Sequence, residues 1–300
     1  MAGRSCESAC PMPSEPVIAV VTGASRGAGR GIAIALGSHG CTVYVTGRSQ
    51  KDGDHALPGT IAETARAVTA AGGRGIAVAC DHASDDQTAA LFEQVRREQG
   101  RLHILVNNAA AVHDELTVPG PFWEKPTYLA DIVSVGVRSS YIATHHAMPL
   151  LIAGGRGLIA FTSASGAVHY SMGPAYGAHK AGLDKLAADM AVDFRRAEVN
   201  VSAVSIWMGA VLTDRLKALI ASDRAKFAHL EATCETPEFT GHVVWGLFND
   251  PALAERSGRT VIGAEMALDY GLRDEGGRQP PSFSDTHRVS PRVQYPIEVG

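Results

Sequence analysis

The chain has 300 residues, 45% of them hydrophobic and 19% charged, which suits one large domain, or at most two, with a core that needs no disulfide or metal to hold it. A formal net charge of −4 argues against an electrostatic attraction to nucleic acid or to an anionic membrane surface. The five cysteines (Cys6, Cys10, Cys41, Cys80 and Cys234) are odd in number and scattered, as reduced thiols in a cytoplasmic compartment would be.

Residues 1–15 read as a flexible leader, polar where a signal peptide needs its apolar stretch. Cys6 and Cys10 stand close together there, but no second pair follows at ligand spacing, so no metal is predicted. No apolar run reaches the length of a membrane helix. From residue 16 to 273 short apolar runs alternate with longer helical patterns. The strand candidates are VIAVVTG, CTVYVTG, GIAVACD, HILVNNA, GLIAFTS, VSAVSIW and RTVIGAE. They are β-branched and continuous rather than alternating, the pattern of strands buried on both faces. Between them lie helical stretches such as GTIAETARAVTAAGG and SDDQTAALFEQVRREQG, the second opened by Ser84 and an Asp pair. Strand and helix repeated in this way predict an α/β fold, a single doubly wound, Rossmann-type domain whose seven-stranded parallel sheet carries helices on both faces. Residues 274–300, rich in Pro, Gly and Ser, read as a tail or as an arm onto a partner subunit.

The first strand runs into Gly23-x-x-x-Gly27-x-Gly29, with Ser25, Arg26 and Ala28 between the glycines. A glycine loop opening a helix is where a dinucleotide pyrophosphate would meet free backbone amides, although the spacing also suits an ordinary tight turn. The second strand ends VTGRS, so Arg48 stands where a carboxylate would bind the ribose 2′-hydroxyl of NAD. Arg26 and Arg48 without an acid suit a 2′-phosphate, and so NADP(H); the alternative is that Arg48 is a solvated surface residue. Further on, Tyr176 and Lys180 are four apart in a helical pattern, which places them on one face. A free phenol is a poor acid or base at neutral pH, and a neighbouring ammonium would favour its ionised form.

At these residues the sequence resembles the short-chain dehydrogenase/reductase family. The family's Thr-Gly-x-x-x-Gly-x-Gly is matched by Thr22, Gly23, Gly27 and Gly29, its Asn-Asn-Ala by Asn107, Asn108 and Ala109, and its Tyr-x-x-x-Lys by Tyr176 and Lys180. The stretches FWEKP, KLAADMAVDFRR and YGLRDEGGR resemble the dehydrogenase/reductase member one branch. The resemblance implies a catalytic serine at Ser163, an adenine contact at Asp81, and a nicotinamide contact at Thr213 beyond the Gly209 turn. It also implies that Ser163 bonds the substrate oxygen, that Tyr176 gives or takes the proton, and that Lys180 lowers the tyrosine pKa and holds the nicotinamide ribose. The expected reaction is reduction of a ketone or aldehyde by NADPH, or oxidation of the secondary alcohol in reverse. The expected assembly is a homo-oligomer, a dimer or tetramer, paired through the helix of Tyr176 and the helix before it.

Three positions depart from the family pattern. Ser134 replaces the asparagine that anchors a water chain to the lysine, Met208 replaces the proline of the Pro-Gly turn, and Ala28 replaces a larger aliphatic. Ser134 and Met208 keep open a second reading, a cofactor-binding sensor or scaffold without turnover. Arg48 disfavours a third, an NAD-linked alcohol dehydrogenase. The twelve histidines form neither His-x-x-His nor His-Glu-x-x-His and read as structural or surface groups, with His169 and His179 nearest the reacting segment. The stretch from Thr213 to Asp250 is where the family carries its substrate lid.

Overall fold

All seven apolar runs form strands, because continuous β-branched segments can bury both faces only in the middle of a layered sheet. They are β1 (Ile18–Val21), β2 (Thr42–Gly47), β3 (Arg74–Ala79), β4 (Ile104–Asn107), β5 (Gly157–Ser163), β6 (Val201–Trp207) and β7 (Thr260–Ile262). Every pairing is parallel, in the order β3-β2-β1-β4-β5-β6-β7. This computed structural model describes residues 15–295; the leader, with Cys6 and Cys10, lies outside the described residues apart from Glu15.

Alternate side chains of the strands divide the core in two. Ala19, Val21, Ile104, Val106, Leu158, Ala160, Val204 and Ile206 meet α1 (Gly27–Ser38), α2 (Ile61–Ala70) and, later in the chain, α10 (Phe239–Asn249) and α12 (Gly263–Asp269). Ile18, Val20, Leu105, Ile159, Phe161 and Ala203 meet α3 (Asp85–Gln99), α5 (Ser139–Ala153) and α6 (Pro174–Arg196). One expectation needs correction: β3 is not buried on both faces, since Arg74, Ala77 and Ala79 are exposed. It is an edge strand, and only Ile76 and Val78 reach the core.

Local chemistry sets the helix ends. Thr60 and Glu63 form a capping box at α2. The Ser84 hydroxyl accepts from Gln87 N at the start of α3, which has Asp85 and Asp86 in its first turn, Arg96 and Arg97 in its last, and Gly100 in the left-handed region after it. Pro174 opens α6. Before α5, the short α4 (Asp131–Val133) passes into a π-turn over Ser134–Arg138. Beyond β6 lie α7 (Asp214–Ser222), the single turns α8 (Arg224–Phe227) and α9 (His229–Thr233), then α10 and α11 (Leu253–Arg256).

From Asp274 the chain runs on along the body. The buried Asp274 carboxylate accepts from the Thr236 amide and hydroxyl and from Arg278. Ser282 donates to Glu265, and His287 of α13 (Phe283–His287) stacks on His169 at 6.2 Å between centroids.

Strand order reverses between β1 and β4. A crevice therefore opens at the carboxyl ends of these two strands, where their connections leave in opposite directions.

Candidate active site

The crevice is a cleft of about 880 Å³, with the β1–α1 glycine loop on one wall and Lys180 of α6 on another. Gly23 and Gly27 hold φ of 63° and 58°, and a Cβ on Gly23 would lie 2.8 Å from the Ala109 Cα, so side chains are barred where the loop meets β4. The loop leads into a 12-residue helix with no side chain capping it and no acid in its first turn. Its first amides and the positive end of its dipole are left for an anion. Ser25, Arg26, Gly27, Ala28 and Gly29 all line the cleft.

The Thr22 hydroxyl ties this loop to β4. It donates to Val106 O and accepts from the amides of Asn108 (2.8 Å) and Ala109 (2.9 Å). The Asn108 side-chain amide donates back to Thr22 O and Gly23 O. Asn107 turns the other way: it is buried, donates to Thr144 of α5 at 3.0 Å, and is not on the cleft wall. Of the Asn pair, the strand's alternation thus gives Asn108, not Asn107, to the cleft, and Ala109 of the loop that follows lines it too. The alternation of Ile104 and Val106 against Leu105 carried that signal.

Arg48 lines the cleft at the end of β2, with Asp81 nearby beyond β3. The Arg26 guanidinium donates to Pro58 O (3.1 Å), Gly59 O (2.8 Å) and Ser49 Oγ (2.8 Å). Burial, and then the charge of Arg48, make its protonated form less favourable than usual, while Asp214 acts in the opposite direction. Ser49 and His82 escaped the sequence reading. His82 is buried beside Asp81 on the cleft wall, 2.8 Å from the Thr46 hydroxyl, and burial lowers it to about 4, so it is neutral. Thr213 caps α7 by accepting from Leu216 N and also faces the cleft. Gly209 does not face it; its amide donates to Glu235, a buried carboxyl that burial pushes up to about 7.

Tyr176, Lys180 and Asp184 follow one another at intervals of four on α6, on the face turned to β5 and β6. Lys180 Nζ donates to Thr162 O at 2.9 Å and stands 5.5 Å from the centre of the Tyr176 ring. Burial draws the ammonium down to about 8, while Asp184 works against that shift. Sequence reasoning expected Lys180 to pull the phenol down. Burial is the larger effect in this arrangement and pushes Tyr176 up to about 12. The Tyr176 ring packs beside Leu116, Leu129 and Ile132. Ser163 is fully buried, and its hydroxyl donates to Lys180 O at 3.2 Å. Lys180, Thr162, Ser134 and Met208 line the cleft, whereas Ser163 and Tyr176 stand behind that wall. Ser134 is exposed and begins the π-turn. The His179 ring lies against Gly136 of the same turn; burial lowers it to about 2, and its Nδ1 is buried without a partner. Among the described residues, no three His, Cys, Asp or Glu side chains come together as a metal-holding group.

The sequence pattern of the short chain dehydrogenases matches residues 17–223, more than half of the chain. The chain belongs to the short-chain dehydrogenase/reductase family. Among its relatives, Dehydrogenase/reductase SDR family member 1 of Homo sapiens is 40% identical over 292 residues, covering 94% of this chain and 90% of that one. The Mus musculus protein of the same name is 38% identical over 277 residues, covering 89% and 85%. A solved chain from Xanthomonas campestris described as a dehydrogenase superposes with a TM-score of 0.74 at 26% identity, over 88% of this chain and 94% of that one. As a short-chain dehydrogenase/reductase, the protein is an oxidoreductase with a nicotinamide dinucleotide site. The cleft fits such a group, with an uncapped helix N-terminus, a glycine turn closed to side chains, and a buried ammonium at the far end. No helix among the described residues is long and apolar enough to cross a membrane.

Proposed function

We propose that this protein transfers hydride between NADP(H) and a ketone or aldehyde, or the matching secondary alcohol. The observation that carries the reading is one cleft with Arg26 and Arg48 at one end and Lys180, beside Tyr176, at the other. Arg48 and Arg26 would hold a 2′-phosphate, Asp81 the adenine and Thr213 the nicotinamide amide. The glycine loop and the first turn of α1 would hold the pyrophosphate.

The dinucleotide, when bound, supplies or accepts the hydride. The chain's part is the proton and the oxygen. Tyr176 is uncharged at neutral pH, so its phenol has a proton to give to the substrate oxygen during reduction. The Lys180 ammonium then stabilises the phenolate that remains. Ser163, by the family resemblance, would bond the substrate oxygen once its hydroxyl turns from Lys180 O. Ser134 begins the π-turn on the cleft wall, at the position of the family's relay asparagine, and its hydroxyl can hold a water there.

The test is consumption of NADPH, with NADH in parallel, against a panel of ketones, aldehydes and quinones. Turnover with NADPH and at least tenfold less with NADH is the expected result, about 1.4 kcal/mol of discrimination by the two arginines. Equal turnover with both would remove the arginine assignment. Tight NADPH binding without turnover on any substrate would favour a binding role.

A further inference from the structure

The turn after β6 has both its ends on the cleft. Met208 and Thr213 line it, whereas Gly209, Ala210, Val211 and Leu212 do not. The family's proline would stiffen the start of this turn through its ring. Met208 has an amide instead, which donates to Ser163 O at 3.1 Å, a bond that a proline cannot make. The middle of the turn is held by one residue, Glu235, 26 positions after Gly209. Its carboxyl accepts from the Gly209 amide at 3.1 Å. Its own amide donates to Ala210 O at 2.9 Å, its carbonyl accepts from the Leu212 amide at 2.9 Å, and Val211 pairs with it in parallel.

Glu235 is 1% exposed, an uncommon place for a carboxyl, and the proposed reaction does not use it. Its other oxygen accepts from the Thr240 hydroxyl of α10 at 3.0 Å, and Asp274 holds the next residue by accepting from the Thr236 amide at 2.9 Å. Gly209 has no left-handed φ, so its backbone conformation does not call for glycine. Room does, since a Cβ there would lie 2.8 Å from Glu235 Oε2. The backbone of Glu235 would hold Ala210 and Leu212 whatever its side chain, and an apolar side chain would be buried at less cost. What the carboxyl adds is a grip on Gly209, the residue next to the cleft-facing Met208.

We infer that Glu235 is a positioning residue for the nicotinamide end of the cleft, which holds the turn at Gly209 and so fixes where Thr213 stands. The inference rests on Thr213 holding the nicotinamide amide as proposed above.

The experiment measures by calorimetry the binding of NADPH and of 2′-phospho-ADP-ribose, the same dinucleotide without its nicotinamide. The proteins are the wild type, Glu235→Ala, Glu235→Gln, Thr213→Ala and Glu235→Ala combined with Thr213→Ala, with thermal melting as the fold control. Glu235→Ala is expected to weaken NADPH about tenfold and the shortened ligand less than about twofold. In the Thr213→Ala background the same change should weaken NADPH less than about twofold. Glu235→Gln keeps an oxygen for the Gly209 amide and should stay within about twofold of the wild type on both ligands. Equal losses on both ligands would make Glu235 a strap of the fold and overturn the inference alone, as would a full loss in the Thr213→Ala background. A Thr213→Ala variant that binds NADPH as the wild type does would overturn the role of Thr213 in the proposed reaction, and this inference with it. Gly209→Ala tests the same contact with the carboxyl still in place, because the new Cβ crowds Oε2. The same selective loss of NADPH is expected, and a loss shared by both ligands would again overturn the inference.

Discussion

Tyr176 and Glu235 show how burial governs single groups in this protein. Tyr176 is held neutral by desolvation, so the phenolic O–H should be the only part of it that catalysis needs. Tyr176→Phe keeps the ring and its contacts with Leu116, Leu129 and Ile132. Its kcat should fall by about 10²–10⁴-fold with NADPH affinity unchanged, as steady-state kinetics and a fluorescence titration would read. Persisting turnover would rule out Tyr176 as the proton donor. Glu235 is raised by burial from an ordinary 4.5 to about 7, against the pull of the Gly209 amide and the Thr240 hydroxyl. Between these two pH values the folded protein binds more protons than the unfolded one, so this group makes stability fall as pH rises through the window. The slope is at most about 1.4 kcal/mol per pH unit. Glu235→Gln should flatten the fall in Tm between pH 5 and 7.5. Parallel curves for variant and wild type would contradict the assignment.

At the scale of elements, the π-turn at Ser134–Arg138 is held from outside. Its Gly136 leaves room for the His179 ring of α6, since a Cβ there would come within 2.4 Å of the imidazole. Gly136→Ala should therefore cost about 1–3 kcal/mol in denaturant unfolding, and much of that should return when His179→Ala is added. A loss unaffected by the second change would place the strain in the backbone of the turn instead. Nothing in DIVSVGVRSSY announces this turn. It depends on a ring from a helix more than 40 residues later in the chain, and local propensity carries no record of such a contact. The cap at Ser84, by contrast, is a local bond three residues long and was legible in the sequence.

For the whole molecule, α5 carries Tyr141 and Ile152, each more than half exposed and apolar. The family resemblance pairs this helix and α6 across subunits, and such a pairing would bury those side chains. Light scattering should therefore give the mass of a dimer or tetramer, and a monomer at micromolar concentration would sink that expectation.

Strand and helix order, the doubly wound sheet and the glycine loop followed from the sequence alone. Parallel strands with helices on both faces need continuous apolar runs, and a dinucleotide needs glycines at a helix start, so both leave local marks. That Tyr176 and Lys180 share a helix face was legible too, because they stand four apart, whereas Ser163 was singled out only by the family resemblance. Only the tertiary structure decided that Asn108 rather than Asn107 meets the cleft and that β3 is an edge. It alone decided that Asp184 takes the Ser205 hydroxyl and the Trp207 indole N–H and that Glu235 holds Gly209. Burial and long-range hydrogen bonds are made by segments 20 or more residues apart in the chain, and they take their strength from water excluded by the whole fold.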